Sequence, residues 1–392
     1  MFHYKYLIIG GGMAAAAAVE GIRQVDANGS IGLIGAESHP PYNRPPLSKR
    51  LWQGQPLEGI WRGTDNHGVE LHLGRIAVSL DPQHRCVADD EGTNYIFDKL
   101  LLATGGTPRR LPFGDNQIIY FRTLTDYRLL RFYAEQKRRF AVIGGGFIGS
   151  EIAAALAMNG REVMMLFPEA GIGGRIFPPD LAYFLNGYYR QKGVEVLAGE
   201  LLTGLEKRGE QFILKTKSGA EVIVDSVVAG LGLEPNTLLA RQAGLKIANG
   251  ILVDQFLQTS HPDIYAAGDV GNFYNPLLKK RLRVEHEDNA NTMGQMAGRA
   301  MAGDPTPYQH LPYFYSDLFD LGYEAIGDLN PELESVADWQ EPYRKGVIYY
   351  LQEGRVRGVI LWNVWGQVEA ARSLIAEPGP FHPQALQGRL PA

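Results

Sequence analysis

Two stretches of this chain share one design, and that repeat limits the folds open to it. Tyr4–Glu37 and Phe140–Glu169 each begin with a short apolar strand and continue with a glycine cluster, an alanine-rich helix, a second apolar strand and a final acid. Such a unit predicts a parallel sheet with a pyrophosphate at the glycine turn, because helix N–H groups and the helix dipole favour negative charge there. Two units therefore predict two bound dinucleotides.

The glycines follow the dinucleotide fingerprint, with alanine at the third position of the first copy. These residues are Gly10, Gly12 and Ala15 in the first unit and Gly144, Gly146 and Gly149 in the second. Glu37 and Glu169 close the units at a spacing suited to an adenosine ribose. Because a carboxylate repels a 2′-phosphate, Glu169 favours NADH over NADPH, although Arg175 nearby weakens that preference.

Composition narrows the class of protein. The 392 residues carry a net charge of −5, which argues against a nucleic-acid partner. No apolar run reaches the roughly 18 residues of a membrane span. The first strand begins so close to Met1 that we expect no targeting peptide. Cys86 is the only cysteine, which excludes an internal disulfide or a Cys-x-x-Cys pair and favours a reducing cytoplasm. We predict no metal site.

Between and after the units the pattern is less regular. His39–Lys49 contains too much proline for a helix or strand, and its cations Arg44 and Lys49 suggest contacts with a cofactor. Short strands at 69–73, 76–80, 85–88 and 95–97 predict a meander, and a buried strand begins at Leu100. After residue 311 the chain predicts strands at 314–318, 323–327, 346–351 and 356–362, a helix at 367–375, and a tail with little order.

Two further motifs carry a resemblance to a known family. Ala103-Thr104-Gly105 resembles the element that flavoproteins with two dinucleotides place between their FAD and NAD(P)H domains. Thr259–Asp269 resembles their second FAD signature, in which Asp269 reaches the ribityl chain. The chain is thus identified as similar to the FAD-dependent pyridine nucleotide oxidoreductases.

The resemblance implies an α/β fold with two Rossmann-like domains of the glutathione-reductase-like, three-layer ββα kind, followed by a C-terminal α+β interface domain. The FAD domain would comprise 1–111 and 245–310, the NAD(H) domain 112–244, and the last domain 311–392. The cofactors implied are FAD and NAD(H).

Cysteine usage and shared segments narrow the branch. Disulfide reductases of this family need a cysteine pair, and the peroxide and CoA-disulfide enzymes need one cysteine soon after the first ribose acid; neither is present. Pro41–Lys49 resembles the segment shared by NADH-dependent ferredoxin reductases and apoptosis-inducing factor. Three segments, 166–169, 323–327 and 358–363, resemble apoptosis-inducing factor more closely. Tyr315 stands where both groups usually carry tryptophan.

Several residue roles follow from the resemblance alone. Arg44 and Lys49 would contact FAD, with Lys49 near the flavin N5 and paired with Glu151. Phe147 would cover the flavin until nicotinamide displaces it. Glu285, His286 and Tyr315 would lie near the nicotinamide side of the flavin. Simpler roles stay open: Glu151 as a helix-start acid, Phe147 as a core aromatic, and Glu285 and His286 as helix N-cap residues.

The sequence therefore predicts a flavoprotein that takes hydride from NADH and passes electrons to a ferredoxin-type iron–sulfur protein. Two alternatives stay open. One is a redox-gated module like apoptosis-inducing factor, with a long-lived NADH–flavin charge-transfer complex. The other is a reductase of quinone or oxygen. The acceptor's identity, the reduction potential and the oligomeric state, including a homodimer, stay open too.

Overall fold

The computed structural model describes residues 1–114 and 116–391. The strands are, in chain order, β1 (Phe2–Ile9), β2 (Ile31–Gly35), β3 (Val69–Leu73), β4 (Ala77–Asp81), β5 (Cys86–Asp89), β6 (Asn94–Leu102), β7 (Gly106–Pro108), β8 (Ile118–Tyr120), β9 (Arg139–Ile143), β10 (Glu162–Phe167), β11 (Val194–Ala198), β12 (Leu202–Arg208), β13 (Gln211–Thr216), β14 (Glu221–Val224), β15 (Ser226–Ala229), β16 (Leu233–Pro235), β17 (Ile247–Ala248), β18 (Gly250–Leu252), β19 (Ile264–Ala266), β20 (Gly271–Asn275), β21 (Lys280–Leu282), β22 (Tyr313–Leu318), β23 (Leu321–Gly327), β24 (Glu334–Glu341), β25 (Lys345–Gln352) and β26 (Arg355–Trp362). The helices are α1 (Met13–Val25), α2 (Leu124–Gln136), α3 (Phe147–Met158), α4 (Pro179–Gln191), α5 (Leu238–Gln242), α6 (Glu287–Met301), α7 (Val368–Ala376) and α8 (Pro383–Leu386).

The chain divides into two compact units, each built from separate segments. Unit 1 comprises Met1–Arg44, Glu58–Thr107 and Glu234–Pro312, and unit 2 comprises Pro45–Leu57, Pro108–Leu233 and Tyr313–Ala392. Unit 1 unites most of the two segments predicted for the FAD domain. Unit 2 groups most of the predicted NAD(H) segment with the C-terminal segment, so the three-domain division stays a prediction.

Unit 1 is organised by a sheet of order β3-β2-β1-β6-β5-β4, with β19 also paired to β6. β1 pairs in parallel with β2 and β6, so the carboxyl ends of these strands meet at one edge. Glycines on α6 let it pack closely on the alanine-rich α1: a Cβ on Gly294 would lie 2.3 Å from the Ala14 carbonyl oxygen. All five residues of β2 are buried, as the apolar sequence of this parallel strand predicts.

The predicted meander of unit 1 needs correction in two places. Val69–Leu73 pairs in parallel with β2, because residues 36–68 provide the crossover that a parallel strand requires. β6 is one nine-residue strand where the sequence suggested two. Its first half pairs with β5 in the meander, and its second half pairs with β19.

Unit 2 contains a parallel sheet of order β11-β10-β9-β15-β8 and an antiparallel sheet of order β22-β23-β26-β25-β24. The proline-rich segment that enters this unit is not free of helix: Pro45–Ser48 and Arg50–Gln53 form short 3₁₀ helices. Proline is tolerated at the first position of such a turn, where its missing N–H has no partner to lose.

The end of the chain is more ordered than its composition suggested. Leu386 on α8 is fully buried, and Leu390 is 4% exposed. The Leu390 N–H also donates to the Tyr349 hydroxyl, 3.3 Å away. Two buried leucines thus anchor a segment rich in glycine and proline.

Candidate functional site

The first glycine turn lies at the carboxyl end of β1. Gly10 has φ +127°, and a Cβ there would lie 2.0 Å from the Ala103 carbonyl oxygen, so only glycine fits. Gly12 precedes α1 and has no atom within 4 Å of its would-be Cβ. Ala15 is fully buried against the core. The turn is therefore closed on the protein side and open at Gly12.

The predicted Ala-Thr-Gly element lies beside this turn, because β6 and β1 run in parallel and end together. Asn236 holds it in place. Its side-chain amide donates to the Thr104 carbonyl at 2.9 Å, and the Thr104 hydroxyl donates to the Asn236 carbonyl at 2.8 Å. The Asn236 N–H donates to the Gly105 carbonyl at 3.0 Å.

The acid at the end of β2 belongs to a small polar cluster. The Tyr42 hydroxyl donates to Glu37 Oε2 at 2.6 Å, and Arg44 Nη2 donates to Oε1 at 2.6 Å. Burial acts to lower the pKa of Arg44, but the charges of Tyr42 and Glu37 outweigh it and raise the pKa. Arg44 therefore stays charged and orients the Glu37 carboxylate.

Asp269 follows β19 and is 8% exposed. Arg283 Nη1 donates to the Asp269 carbonyl at 3.1 Å and to Glu285 Oε1 at 2.6 Å, so these predicted residues share one cation. His286 is the N-cap residue of α6. Burial lowers its pKa to about 4, although the negative charges of Asp269 and Asp288 oppose that shift. His286 is thus uncharged at neutral pH.

The second glycine turn, in unit 2, repeats the first. Gly144 has φ +111°, and its Cβ would lie 2.4 Å from the Gly230 carbonyl oxygen. A Cβ on Gly149 would lie 1.9 Å from the Gly144 carbonyl oxygen, whereas Gly146 has open space around it. Gly146, the middle glycine, therefore leaves open space beside the start of α3, as Gly12 does beside the start of α1.

Glu169, the acid after β10, is paired with Arg175. Arg175 Nε donates to Glu169 Oε1 at 2.5 Å, and the Arg175 side chain is 77% exposed. Arg175, which the sequence places a few residues after the ribose acid, therefore contacts the Glu169 carboxylate directly.

Lys49 and Glu151 form a buried ion pair in unit 2, with 7% and 5% of their side chains exposed. Lys49 Nζ donates to Glu151 Oε1. The Lys49 ammonium also lies 5.2 Å from the centroid of the Tyr315 ring, within range of a cation–π contact. Phe147, on the first turn of α3, packs edge-on against Phe314 at 4.8 Å between ring centroids.

The predicted residues thus fall into two groups, one in each unit. Unit 1 brings Glu37 to Arg44, and Asp269 to Glu285 through Arg283. Unit 2 brings Lys49 to Glu151 and Tyr315. Sequence reasoning missed Tyr42, Asn236, Ser48 and Ser316. Ser48 directly precedes Lys49 and Ser316 directly follows Tyr315, and this adjacency to residues already singled out is the signal that could have found them.

The two turns fit dinucleotides. Gly12 and Gly146 leave open space where a side chain would stand, and they begin α1 and α3, neither of which has a side-chain cap on its first N–H groups. A helix start without a side-chain cap, beside open space, suits the negative charge of a pyrophosphate.

Within residues 1–114 and 116–391, the structure contains no group of three or more His, Cys, Asp or Glu side chains that could hold a metal ion. Within the same residues, no helix is long and apolar enough to span a bilayer.

Comparison with known proteins identifies the family. The family described as pyridine nucleotide-disulphide oxidoreductase matches residues 4–294, and the chain belongs to it. The C-terminal domain described as apoptosis-inducing factor, mitochondrion-associated, matches residues 335–377.

Individual relatives cover nearly the whole chain. It is 32% identical to the ferredoxin–NAD(+) reductase component of 3-phenylpropionate/cinnamic acid dioxygenase from Photorhabdus laumondii, over 96% of this chain and 98% of the relative. It is 35% identical to monodehydroascorbate reductase 3 of Arabidopsis thaliana, over 96% and 93%. The crystal structure of the covalent putidaredoxin reductase–putidaredoxin complex matches with a TM-score of 0.91 and 29% identity, over 98% of this chain and 95% of that chain.

These likenesses confirm the predicted resemblance and the α/β fold class. The chain is an NAD(P)H-dependent FAD oxidoreductase, and its cofactors are FAD and NAD(H), as predicted.

Proposed function

We propose that this protein takes electrons from NADH and delivers them singly to a ferredoxin-type iron–sulfur protein. The observation that carries the proposal is that two dinucleotide cradles occur in a chain whose single cysteine, Cys86, lies on β5. Thiol–disulfide relay needs two cysteines, and an iron–sulfur cluster of ferredoxin type needs four. The electrons therefore leave for an acceptor outside this chain, and the ferredoxin reductases that this chain resembles favour an iron–sulfur protein in that role.

Bound FAD would supply the redox chemistry, accepting hydride from NADH and returning electrons one at a time. We assign the turn at Gly12, with Thr104 and Asp269, to holding FAD, and the turn at Gly146 to holding NADH. Glu37 and Glu169 would accept hydrogen bonds from the two adenosine riboses.

The remaining residues would orient the cofactors and stabilise the charge of the reduced flavin. Lys49, held by Glu151, would supply the positive charge that offsets the negative charge gained on reduction. Phe147 would cover the flavin and exclude water until nicotinamide arrives. Neutral His286 would add no charge beside the cofactor. Glu285 and Tyr315 would line the nicotinamide side.

A ferredoxin-reduction assay tests the proposal. Purified protein with NADH should reduce a plant-type or putidaredoxin-type ferredoxin far faster than free FAD at the same concentration. Cys86→Ser is the matched control and should leave the rate unchanged. If no ferredoxin is reduced faster than by free FAD, or if Cys86→Ser abolishes the reaction, the proposal fails. Monodehydroascorbate belongs in the same assay as a small acceptor, because of the 35% identity to its reductase.

A second candidate is a redox-gated interaction module, in which NADH changes the oligomeric state. The match of residues 335–377 to the C-terminal domain of apoptosis-inducing factor favours it. Here a homodimer would form or dissociate when NADH binds. Equal elution from a sizing column with and without NADH would count against this candidate.

A further inference from the structure

The carboxylate of Glu151 is surrounded by donors from two other segments of unit 2. The Ser48 hydroxyl donates to Oε2 at 2.5 Å, and the Ser316 hydroxyl donates to Oε1 at 2.6 Å. Lys49 also donates to Oε1. Ser48 is 5% exposed and Ser316 is fully buried, so water does not compete for these bonds.

These donors are needed because the pair is out of water. A buried carboxylate is costly unless hydrogen bonds satisfy it in addition to its counter-ion. Lys49 alone would serve only one of the two carboxylate oxygens of Glu151. The serines satisfy the other oxygen and add a second bond to the first, so both oxygens have a fixed position.

The other titratable groups around the pair do not supply this restraint. Burial raises the pKa of Asp317, the nearby charge of Lys49 opposes that rise, and Arg50 faces the same side chain. Burial, followed by the charge of Glu151, raises the pKa of Tyr189 and of Tyr323 well above the usual value. Both tyrosines therefore stay neutral. The Tyr189 hydroxyl donates to the Ser150 carbonyl at 3.1 Å, and Tyr323 shares a side-chain hydrogen bond with Ser316. The two serines and Lys49 donate to the carboxylate itself.

We propose that Ser48 and Ser316 are positioning residues: they hold Glu151 so that its carboxylate keeps the Lys49 ammonium in one place. The inference rests on the proposed function, in which Lys49 offsets charge on the reduced flavin. Ser316 lies on β22, so the C-terminal segment contributes to electron transfer by fixing a charge, in addition to any role in contacting a partner.

The reduction potential of the bound flavin shows how firmly the Lys49 ammonium is held. A positive charge in a fixed position stabilises the reduced flavin, and a mobile ammonium stabilises it less. A merely structural role for the serines would lower thermal stability and leave the potential unchanged. We would measure the midpoint potential of the FAD-loaded protein for Ser48→Ala, Ser316→Ala, their double variant and Lys49→Met. Ser226→Ala is the matched control, since Ser226 is a buried serine of the same unit on β15.

Lys49→Met should make the potential more negative. Each serine variant should shift it in the same direction by about a tenfold change in the two-electron equilibrium, or about 30 mV. Because both serines act through one carboxylate, the double variant should approach Lys49→Met without exceeding it, and the two single shifts should not simply add. Ser316→Cys keeps a weak donor and should give a smaller shift than Ser316→Ala. Ser226→Ala should match the wild type.

The possible failures are distinguishable. If Lys49→Met shifts the potential and the serine variants do not, the positioning role is refuted while the assignment of Lys49 stands. If Lys49→Met itself has no effect, the assignment of Lys49 in the proposed function fails. If the potentials shift as expected but no ferredoxin is reduced, only the proposed acceptor is refuted.

Discussion

The Lys49–Glu151 pair leads to a quantitative prediction for the stability of unit 2. Glu151→Gln keeps the size of the side chain and removes the counter-charge that contacts the Lys49 ammonium, whose side chain is only 7% exposed. Two unit charges about 4 Å apart attract by about 4 kcal/mol at an effective dielectric constant near 20. Removing one partner of a buried pair costs about 3–5 kcal/mol, and we expect the variant to fall in that range.

The double variant Lys49→Met/Glu151→Gln separates charge from packing. It removes both charges and leaves an amide oxygen that accepts from one serine and an NH2 group that can donate to the other, so it should be more stable than Glu151→Gln alone by at least about 2 kcal/mol. Glu162→Gln is the matched control. Glu162 pairs with Arg138 at 2.6 Å, but the two side chains are 51% and 81% exposed, so its loss should cost less than about 1 kcal/mol.

Native-state hydrogen exchange of amides in α3 and β10 measures these differences locally, at one fixed FAD concentration because a bound ligand adds its own stability. Two results would contradict a buried, mutually dependent charge pair. One is a cost for Glu151→Gln no larger than that for Glu162→Gln. The other is a double variant that is less stable than either single variant.

Three further predictions follow from the glycine turns, the coenzyme acid and the buried histidine. Gly149→Ala places a Cβ 1.9 Å from a backbone oxygen and should prevent unit 2 from folding, whereas Gly146→Ala meets open space, should fold normally and should raise KM for NADH; circular dichroism and kinetics distinguish them. Glu169→Ser removes the carboxylate that repels a 2′-phosphate and releases Arg175, so kcat/KM for NADPH relative to NADH should rise about tenfold, and Arg175→Ala added to it should reverse the gain. The folded-state pKa of His286, about 4, lies below its usual value near 6.5, so the stability that its neutral form contributes is present above pH 6.5 and lost as pH falls through 4. That loss is about 3 kcal/mol and should be absent in His286→Gln when unfolding without added FAD is followed from pH 7 to pH 4.

The two dinucleotide units were predictable because their signal is local. A strand, a glycine turn and a helix occupy adjacent residues, and the pattern specifies where the turn must be open. The structure places Gly10 against Ala103 and Gly144 against Gly230, contacts that only glycine allows. The fold class followed from this repetition, supported by the resemblance.

Other elements depend on contacts that sequence order does not reveal. β24 was missed because its residues alternate weakly between exposed and half-buried positions at a sheet edge, where charge is favoured over apolar pattern. β3 was assigned to the meander because its composition does not distinguish a parallel from an antiparallel neighbour.

Some residues of the candidate site were likewise identified from the sequence, and others were missed. The Lys49–Glu151 pair came from the resemblance, since residues 102 positions apart carry no local signal of contact. The hydroxyls of Ser48 and Ser316 were missed because serine is common on surfaces, and only burial beside a carboxylate gives it a role. Tyr42 was missed because its hydroxyl contact with Glu37 depends on how the proline-rich segment turns.

Anaerobic stopped-flow mixing with NADH, followed by an oxidised ferredoxin, distinguishes an electron-transfer reductase from a redox-gated module in one experiment. We expect rapid loss of the flavin absorbance band on mixing with NADH and its rapid return when ferredoxin is added, with one electron appearing on each of two ferredoxins. Slow reduction, with long-wavelength absorbance that persists in the presence of ferredoxin and then air, would contradict an electron-transfer reductase and favour the redox-gated module.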